Sequence, residues 1–155
     1  MTTYLGLGTN IGNKEENLAR AIEKLSLALG KCTAKSKYME TEPWGFESSN
    51  NFLNCCAAFE TDLTPLQVLD TTERIERELG RTIKSTDGKY HDRIIDIDIL
   101  LYGNETVETP RLTIPHPLMH KREFVLHPLA EIAHDAIHPT TGKSIKTLLE
   151  EFKEL

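Results

Sequence analysis

Arg93-Ile94-Ile95-Asp96-Ile97-Asp98-Ile99-Leu100-Leu101-Tyr102 is the most strand-like stretch of the chain. Successive side chains of a strand point to opposite faces. Ile95, Ile97 and Ile99 therefore share one face and can pack into a core, while Ile94, Asp96 and Asp98 share the other. Carboxylates two residues apart on one strand face stand roughly 7 Å apart. Placing both in an otherwise apolar strand is costly unless something neutralises them. Magnesium does this well, because it favours a few carboxylate oxygens together with phosphate oxygens and waters. Two such ions can clamp a polyphosphate along the line of a displacement. The same Asp-Ile-Asp also suits the solvated outer face of an edge strand with its carboxylates paired to Arg or Lys, and Arg93 fits either reading.

Working outward from this strand gives the order of elements. Upstream, a polar loop runs from Arg81 to Asp92. Before it, Thr64-Pro65-Leu66-Gln67 predicts a helix start, with Thr64 as cap, Pro65 at the first helical position and Gln67 closing a capping box. Leu66, Leu69, Ile75 and Leu79 form that helix's apolar stripe and Gly80 stops it. Phe52 to Thr61 reads as a strand, residues about 33–41 as another, and 42–50 as the loop between them. At the N-terminus, Thr3 to Thr9 alternates as a strand. Asn13 can cap a helix, with Glu16 placed to reach back. Leu18, Ile22, Leu25 and Leu29 follow at helical spacing until Gly30. Downstream, Gly103-Asn104 is turn chemistry, with a short strand expected near 105–108. Helices are expected near 124–133 and 144–153, the second carrying Ile145, Leu148, Leu149 and Phe152 on one face. The result is a mixed α/β (α+β) chain with a ferredoxin-like βαββαβ core, an antiparallel sheet with helices packed on it, and C-terminal helices.

The 155 residues, 39% hydrophobic and 27% charged, suit one soluble domain spanning 1–155. No apolar run approaches the roughly 20 residues needed to span a bilayer. The N-terminus lacks the pattern of a signal peptide, so the expected compartment is the cytoplasm. Cys32, Cys55 and Cys56 have no zinc-ligand spacing and read as small buried hydrophobes. A net charge of −6 argues against broad nucleic-acid binding. Arg81, Lys84, Lys89, Arg93, Arg111, Lys121 and Arg122 nevertheless concentrate positive charge in the second half, enough to bind one small polyanion. Glycine-rich phosphate cradles are absent. Gly142-Lys143-Ser144 has Ile137 where a P-loop needs its first glycine, and Gly6-x-Gly8 has Ile11 at the third glycine position of a dinucleotide fingerprint. A nucleotide must then be held by side chains and metal.

Seven segments in order carry a resemblance along nearly the whole chain. They are Gly8-Thr9-Asn10, Thr41-Glu42-Pro43-Trp44-Gly45, Phe52-Leu53-Asn54, Ile75-Glu76 with Gly80-Arg81, Arg93 to Leu101, Leu112 to Pro117, and Arg122-x-Phe124-Val125-Leu126-x-Pro128-Leu129. The chain resembles the 6-hydroxymethyl-7,8-dihydropterin pyrophosphokinases. That resemblance implies an α/β/α sandwich and a reaction of ATP with the pterin alcohol that yields AMP and the pterin pyrophosphate, a step of folate synthesis. It implies that Asp96 and Asp98 bind two magnesium ions. Glu76, Arg81, Arg93, Ile99, Arg111, Thr113, His116 and Arg122 become nucleotide and phosphate contacts, with Arg81, Arg93, Asp96 and Asp98 the catalytic set. Phe52 and Phe124 stack on the pterin, Asn54 reads its edge, and Thr41, Glu42 and Trp44 complete the rim. From the residues alone, Phe52, Phe124 and Asn54 fit a core equally well, and His116, Arg111 and Arg122 fit a surface. His91, Asp92 and Ile83 depart from the family's pattern. The loops 42–50 and 81–92 are expected to close over the substrates, and a monomer is expected.

Overall fold

The computed structural model describes residues 1–42, 51–80 and 94–153. Its main sheet is built from β1 (Thr2–Thr9), β2 (Cys32–Lys35), β3 (Met39–Thr41), β4 (Phe52–Glu60) and β5 (Asp96–Tyr102). The order is β2-β4-β1-β5, with β3 also on β4, and every pairing is antiparallel. This is the expected ferredoxin-like order.

Alternation along the strands sorts the core into two layers. Leu5 and Leu7 on β1, Cys55, Ala57 and Phe59 on β4, and Ile97 and Ile99 on β5 pack against α1 (Lys14–Leu29) and α2 (Pro65–Glu78). The opposite face, through Cys56, Leu100 and Leu101, meets α3 (Glu123–Ala133) and α4 (Ile145–Lys153). The sheet is thus sandwiched between two pairs of helices.

Both helices are capped where their sequences predict, although the return bond expected from the Glu16 side chain to Asn13 is not formed. Asn13 accepts the Glu16 N–H at 3.1 Å. Thr64 and Gln67 make both bonds of the capping box. Helix α1 ends where Gly30 adopts φ 138°, and a Cβ there would lie 2.0 Å from the Glu60 carbonyl oxygen. Only glycine fits that crossing.

Three differences from the sequence reading matter for the site. The strand expected over 33–41 divides in two. At Ser36 the backbone N–H still donates to the Cys56 carbonyl at 2.9 Å. The Ser36 hydroxyl, rather than a backbone carbonyl, accepts the Cys56 N–H. The ladder then restarts at β3, which sets Met39 opposite Asn54 and Thr41 opposite Phe52. Strand β5 begins at Asp96 rather than Ile94, and its register with β1 shifts between Tyr4 and Leu5. That bulge puts Leu100 and Leu101 consecutively into the α3–α4 layer. Finally, the short strand expected near 105–108 is β6 (Val107–Glu108), which gains an unexpected hairpin partner in β7 (Thr113–Ile114), followed by a 3₁₀ turn at Met119–Lys121. No helix among the described residues is long and apolar enough to cross a membrane.

Candidate active site

Two rows of residues cross the sheet on its α3–α4 face. Asp96, Gly8 and Asn54 form one row, and Asp98, Gly6 and Cys56 the other. The glycines contribute no side chain, so the sheet is hollow between the carboxylates and Asn54. A Cβ on Gly8 would stand 2.9 Å from Asn54 Oδ1 and 3.5 Å from the Phe52 ring. Above the hollow lies a pocket, partly open to solvent, bounded also by Thr41, Glu42, Phe124 and Arg122.

One end of the pocket is suited to a flat heterocycle. Asn54 is 7% exposed, and its amide nitrogen donates to Thr41 Oγ1 at 2.8 Å and the Met39 carbonyl at 3.3 Å. Those bonds turn Oδ1 towards Gly8. Phe52 and Phe124 both line the same space. Arg122, buried at the N-terminal cap of α3, has its guanidinium carbon 5.6 Å from the Phe124 ring centre. Burial pushes the Cys55 thiol up to about 12 and Cys56 well above its ordinary value. The Cys56 thiol on the pocket face and the Cys55 thiol in the α1–α2 core are therefore neutral and poor nucleophiles.

The other end is charged. His116 Nε2 lies 4.0 Å from Asp98 Oδ1. Its Nδ1 accepts the Leu118 N–H at 3.2 Å, which fixes the proton on Nε2. Burial first and the nearby Arg122 charge second, opposed by Asp96, together lower the His116 pKa to about 4. The neutral ring thus presents a single N–H towards the carboxylates.

This has a measurable consequence for the metal-free protein. The His116 pKa falls from 6.5 unfolded to about 4 folded. Between those values the unfolded chain binds more protons, so stability falls as the pH drops through the window. Urea unfolding at pH 7 and pH 4.5 should show His116→Asn losing less stability than wild type, by on the order of 2 kcal/mol. Identical losses in both would mean that the imidazole is not held neutral by the fold.

The structure brings together Thr41, Glu42, Phe52, Asn54, Asp96, Asp98, Arg122 and Phe124 around one pocket, with His116 beside Asp98. Four other residues named from sequence sit elsewhere. Ile99 packs its side chain into the α1–α2 core. Glu76 is buried on α2. Arg111 is exposed and bound to Asp70 at 2.8 Å and Glu73 at 2.9 Å on α2. Thr113 is exposed on β7. Arg81, Arg93 and Trp44 lie outside the described residues, as do residues 43–50 and 81–92 of the loops expected over 42–50 and 81–92. Sequence reasoning overlooked Gly6 and Gly8 as site residues, although their period-2 spacing opposite the aspartates was available.

The donor chemistry of Asp96 and Asp98 fits magnesium. Among the described residues no group of three or more His, Cys, Asp or Glu side chains forms a metal cage. Two half-exposed carboxylates at a pocket wall suit a hard cation that completes its shell with phosphate and water.

The family model described as 7,8-dihydro-6-hydroxymethylpterin-pyrophosphokinase matches residues 4–134. The chain belongs to this family. A pyrophosphokinase of Porphyromonas gingivalis, named for 2-amino-4-hydroxy-6-hydroxymethyldihydropteridine, is 48% identical over 137 residues, covering 88% of this chain and 92% of the relative. The equivalent pyrophosphokinase of Aquifex aeolicus is 41% identical over 152 residues, 98% of this chain and 90% of that one. A crystal structure of an HPPK-DHPS protein in complex with substrates superimposes with a TM-score of 0.81 at 18% identity. It covers 99% of this chain and 43% of the longer one, and at that identity it bears on the fold alone. Within the pyrophosphokinase family, then, this chain supplies a sheet hollowed by two glycines between an acidic end and an amide-and-aromatic end.

Proposed function

We infer that the chain transfers the β,γ-pyrophosphate of ATP to the hydroxymethyl oxygen of 6-hydroxymethyl-7,8-dihydropterin. The new bond joins that oxygen to the β-phosphorus as the bond from the β-phosphorus to the α,β-bridging oxygen breaks, AMP leaves, and the hydroxyl proton passes to solvent. One observation carries the reading: the polar edge-reading amide of Asn54 and the carboxylates of Asp96 and Asp98 face each other across Gly8 and Gly6. A planar nucleophile and a polyphosphate therefore meet over the same two glycines.

Phe52 and Phe124 hold the pterin by its faces, and Asn54 accepts a hydrogen bond from its edge. Thr41 steers the Asn54 nitrogen, so the carbonyl oxygen is the group left for the ligand. Asp96 and Asp98 would hold two magnesium ions together with the phosphates. Magnesium bound there neutralises phosphate charge and aligns the attacking and leaving oxygens. Arg122 and the Nε2–H of His116 donate to phosphate oxygens. The resemblance adds Arg81 and Arg93 to this set. Positioning and charge compensation are the main demands of such a transfer, consistent with the absence of a strong base among the described pocket residues.

The decisive assay is AMP formation from ATP and magnesium, with and without the pterin alcohol. AMP should appear only when pterin is present. Release without pterin would identify a nucleotide hydrolase, and no release in either case a binding module.

Asn54→Ala should weaken pterin binding by about tenfold to a hundredfold, the loss of hydrogen bonds on the order of 1–3 kcal/mol, while ATP affinity changes less than about twofold. Separate titrations of the two ligands measure it. Equal weakening of both would assign Asn54 to the fold, where its bonds to Thr41 and Met39 already give it work.

A further inference from the structure

Glu76 is 5% exposed, and its Oε2 accepts the backbone N–H of Ile97 at 2.9 Å. Ile97 is the residue between Asp96 and Asp98. Strand β5 ends the sheet order next to β1, so among the described residues one of its sides has no strand partner. Ile97 is in register with Leu7 on β1, yet its N–H goes to Glu76, away from that partner. The carboxylate thus takes the place that a neighbouring strand's carbonyl would have. Its own helix is firmly built, with the two-way capping box at Thr64 and Gln67 and buried Val68 and Ile75 in the core.

We propose that Glu76 is a positioning residue for the metal site, clamping the peptide that joins the two metal-binding aspartates. The inference rests on the reading of Asp96 and Asp98 as magnesium ligands and differs from the nucleotide contact that the family resemblance implies for Glu76. Its chemistry is specific. Two like charges on one strand face repel, and an edge strand can relieve that repulsion by twisting. A buried acceptor on the central peptide opposes the twist and keeps both carboxylates aimed into the pocket. Catalytic groups held loosely lose function steeply, because productive geometry tolerates displacements of about 0.5 Å. Removal of a partner that orients a metal ligand typically costs about 10- to 100-fold in metal affinity or activity.

The test compares Glu76→Ala with Glu76→Gln, which keeps a carbonyl acceptor and drops the charge. Hydrogen exchange of the Ile97 amide, read by nuclear magnetic resonance on the metal-free protein, should accelerate at least about tenfold in the alanine variant and stay near wild type in the glutamine variant. In turnover, the alanine variant should need about 10- to 100-fold more magnesium for half-maximal rate, with little change in the affinity for ATP without magnesium. The glutamine variant should recover to within about threefold of wild type. If Glu76→Ala does not fold, Glu76→Gln decides alone: retained Ile97 protection and magnesium dependence support the clamp. Loss of either in folded Glu76→Gln, unchanged Ile97 exchange in Glu76→Ala, or an effect on ATP affinity alone would overturn it. Asp96→Asn and Asp98→Asn, assayed in parallel, separate the two ideas. If they keep the wild-type magnesium dependence, the metal assignment itself fails. If they lose it while Glu76 behaves as a nucleotide contact, only the clamp fails.

Discussion

Asp96→Asn and Asp98→Asn should each lower turnover by on the order of a thousandfold, roughly 4 kcal/mol of transition-state stabilisation, without lowering the melting temperature. The substitution keeps the shape of the side chain and removes its charge, so the strand loses nothing it packs with. Both carboxylates are partly exposed at the pocket wall while Ile97 and Ile99 between and beyond them are buried. The apolar residues therefore hold β5 in the sheet, and the acidic ones line the pocket. The two variants should also differ. Asp98 stands beside His116 and should mainly weaken productive binding of ATP with magnesium. Asp96 is in the Gly8–Asn54 row and should also disturb the pterin end. Turnover across a magnesium series, measured with thermal melting, checks both points. Near wild-type turnover of either variant at low magnesium would remove the metal assignment.

The parts of this molecule that sequence reveals are those in which local chemistry and tertiary structure agree. The capping box at Thr64 and Gln67 is written in four residues and forms as read. The alternation from Ile95 to Ile99 assigns faces correctly because one face is buried by α1 and α2. Reading fails where a side chain replaces a backbone group or where a residue acts by having none. Ser36 interrupts the ladder with its hydroxyl, and nothing in its neighbours' hydropathy marks that break. The bulge at Leu100 places two consecutive leucines on one face, which strict alternation forbids. The proposed pterin end was legible only by resemblance, since Phe52, Phe124 and Asn54 also suit a core. Arg111 shows the converse: a cation expected on phosphate is held by Asp70 and Glu73, carboxylates 41 and 38 residues away in sequence. Glu76 likewise depends on a long-range partner, Ile97, which no local pattern connects to it.

Gly8→Val should abolish useful pterin binding, weakening it by on the order of a hundredfold, while leaving the fold and the affinity for ATP nearly intact. Gly8 lies in a β-strand and has no positive φ, so its backbone accepts a β-branched residue, and valine is at home in strands. The obstacle is on the site face. The first added carbon would stand 2.9 Å from Asn54 Oδ1, closer than such atoms approach. Asn54 cannot simply swing aside, because its nitrogen is held by Thr41 and Met39. Either it gives up those bonds, at about 1–3 kcal/mol, or the crowding remains as strain, typically about 1–3 kcal/mol. The valine methyls then occupy the hollow itself. Gly6 makes the comparison informative, since its Cβ would meet only Leu100 methyl carbons at 3.5 Å, an ordinary contact. Gly6→Ala should therefore cost less pterin affinity than Gly8→Ala, although the two positions are equivalent in strand and face. Calorimetric titration of each variant with the pterin alcohol and with ATP, alongside melting curves, measures the contrast. Wild-type pterin affinity in Gly8→Val would show that the ligand does not lie over the glycines, and the site would have to be sought elsewhere.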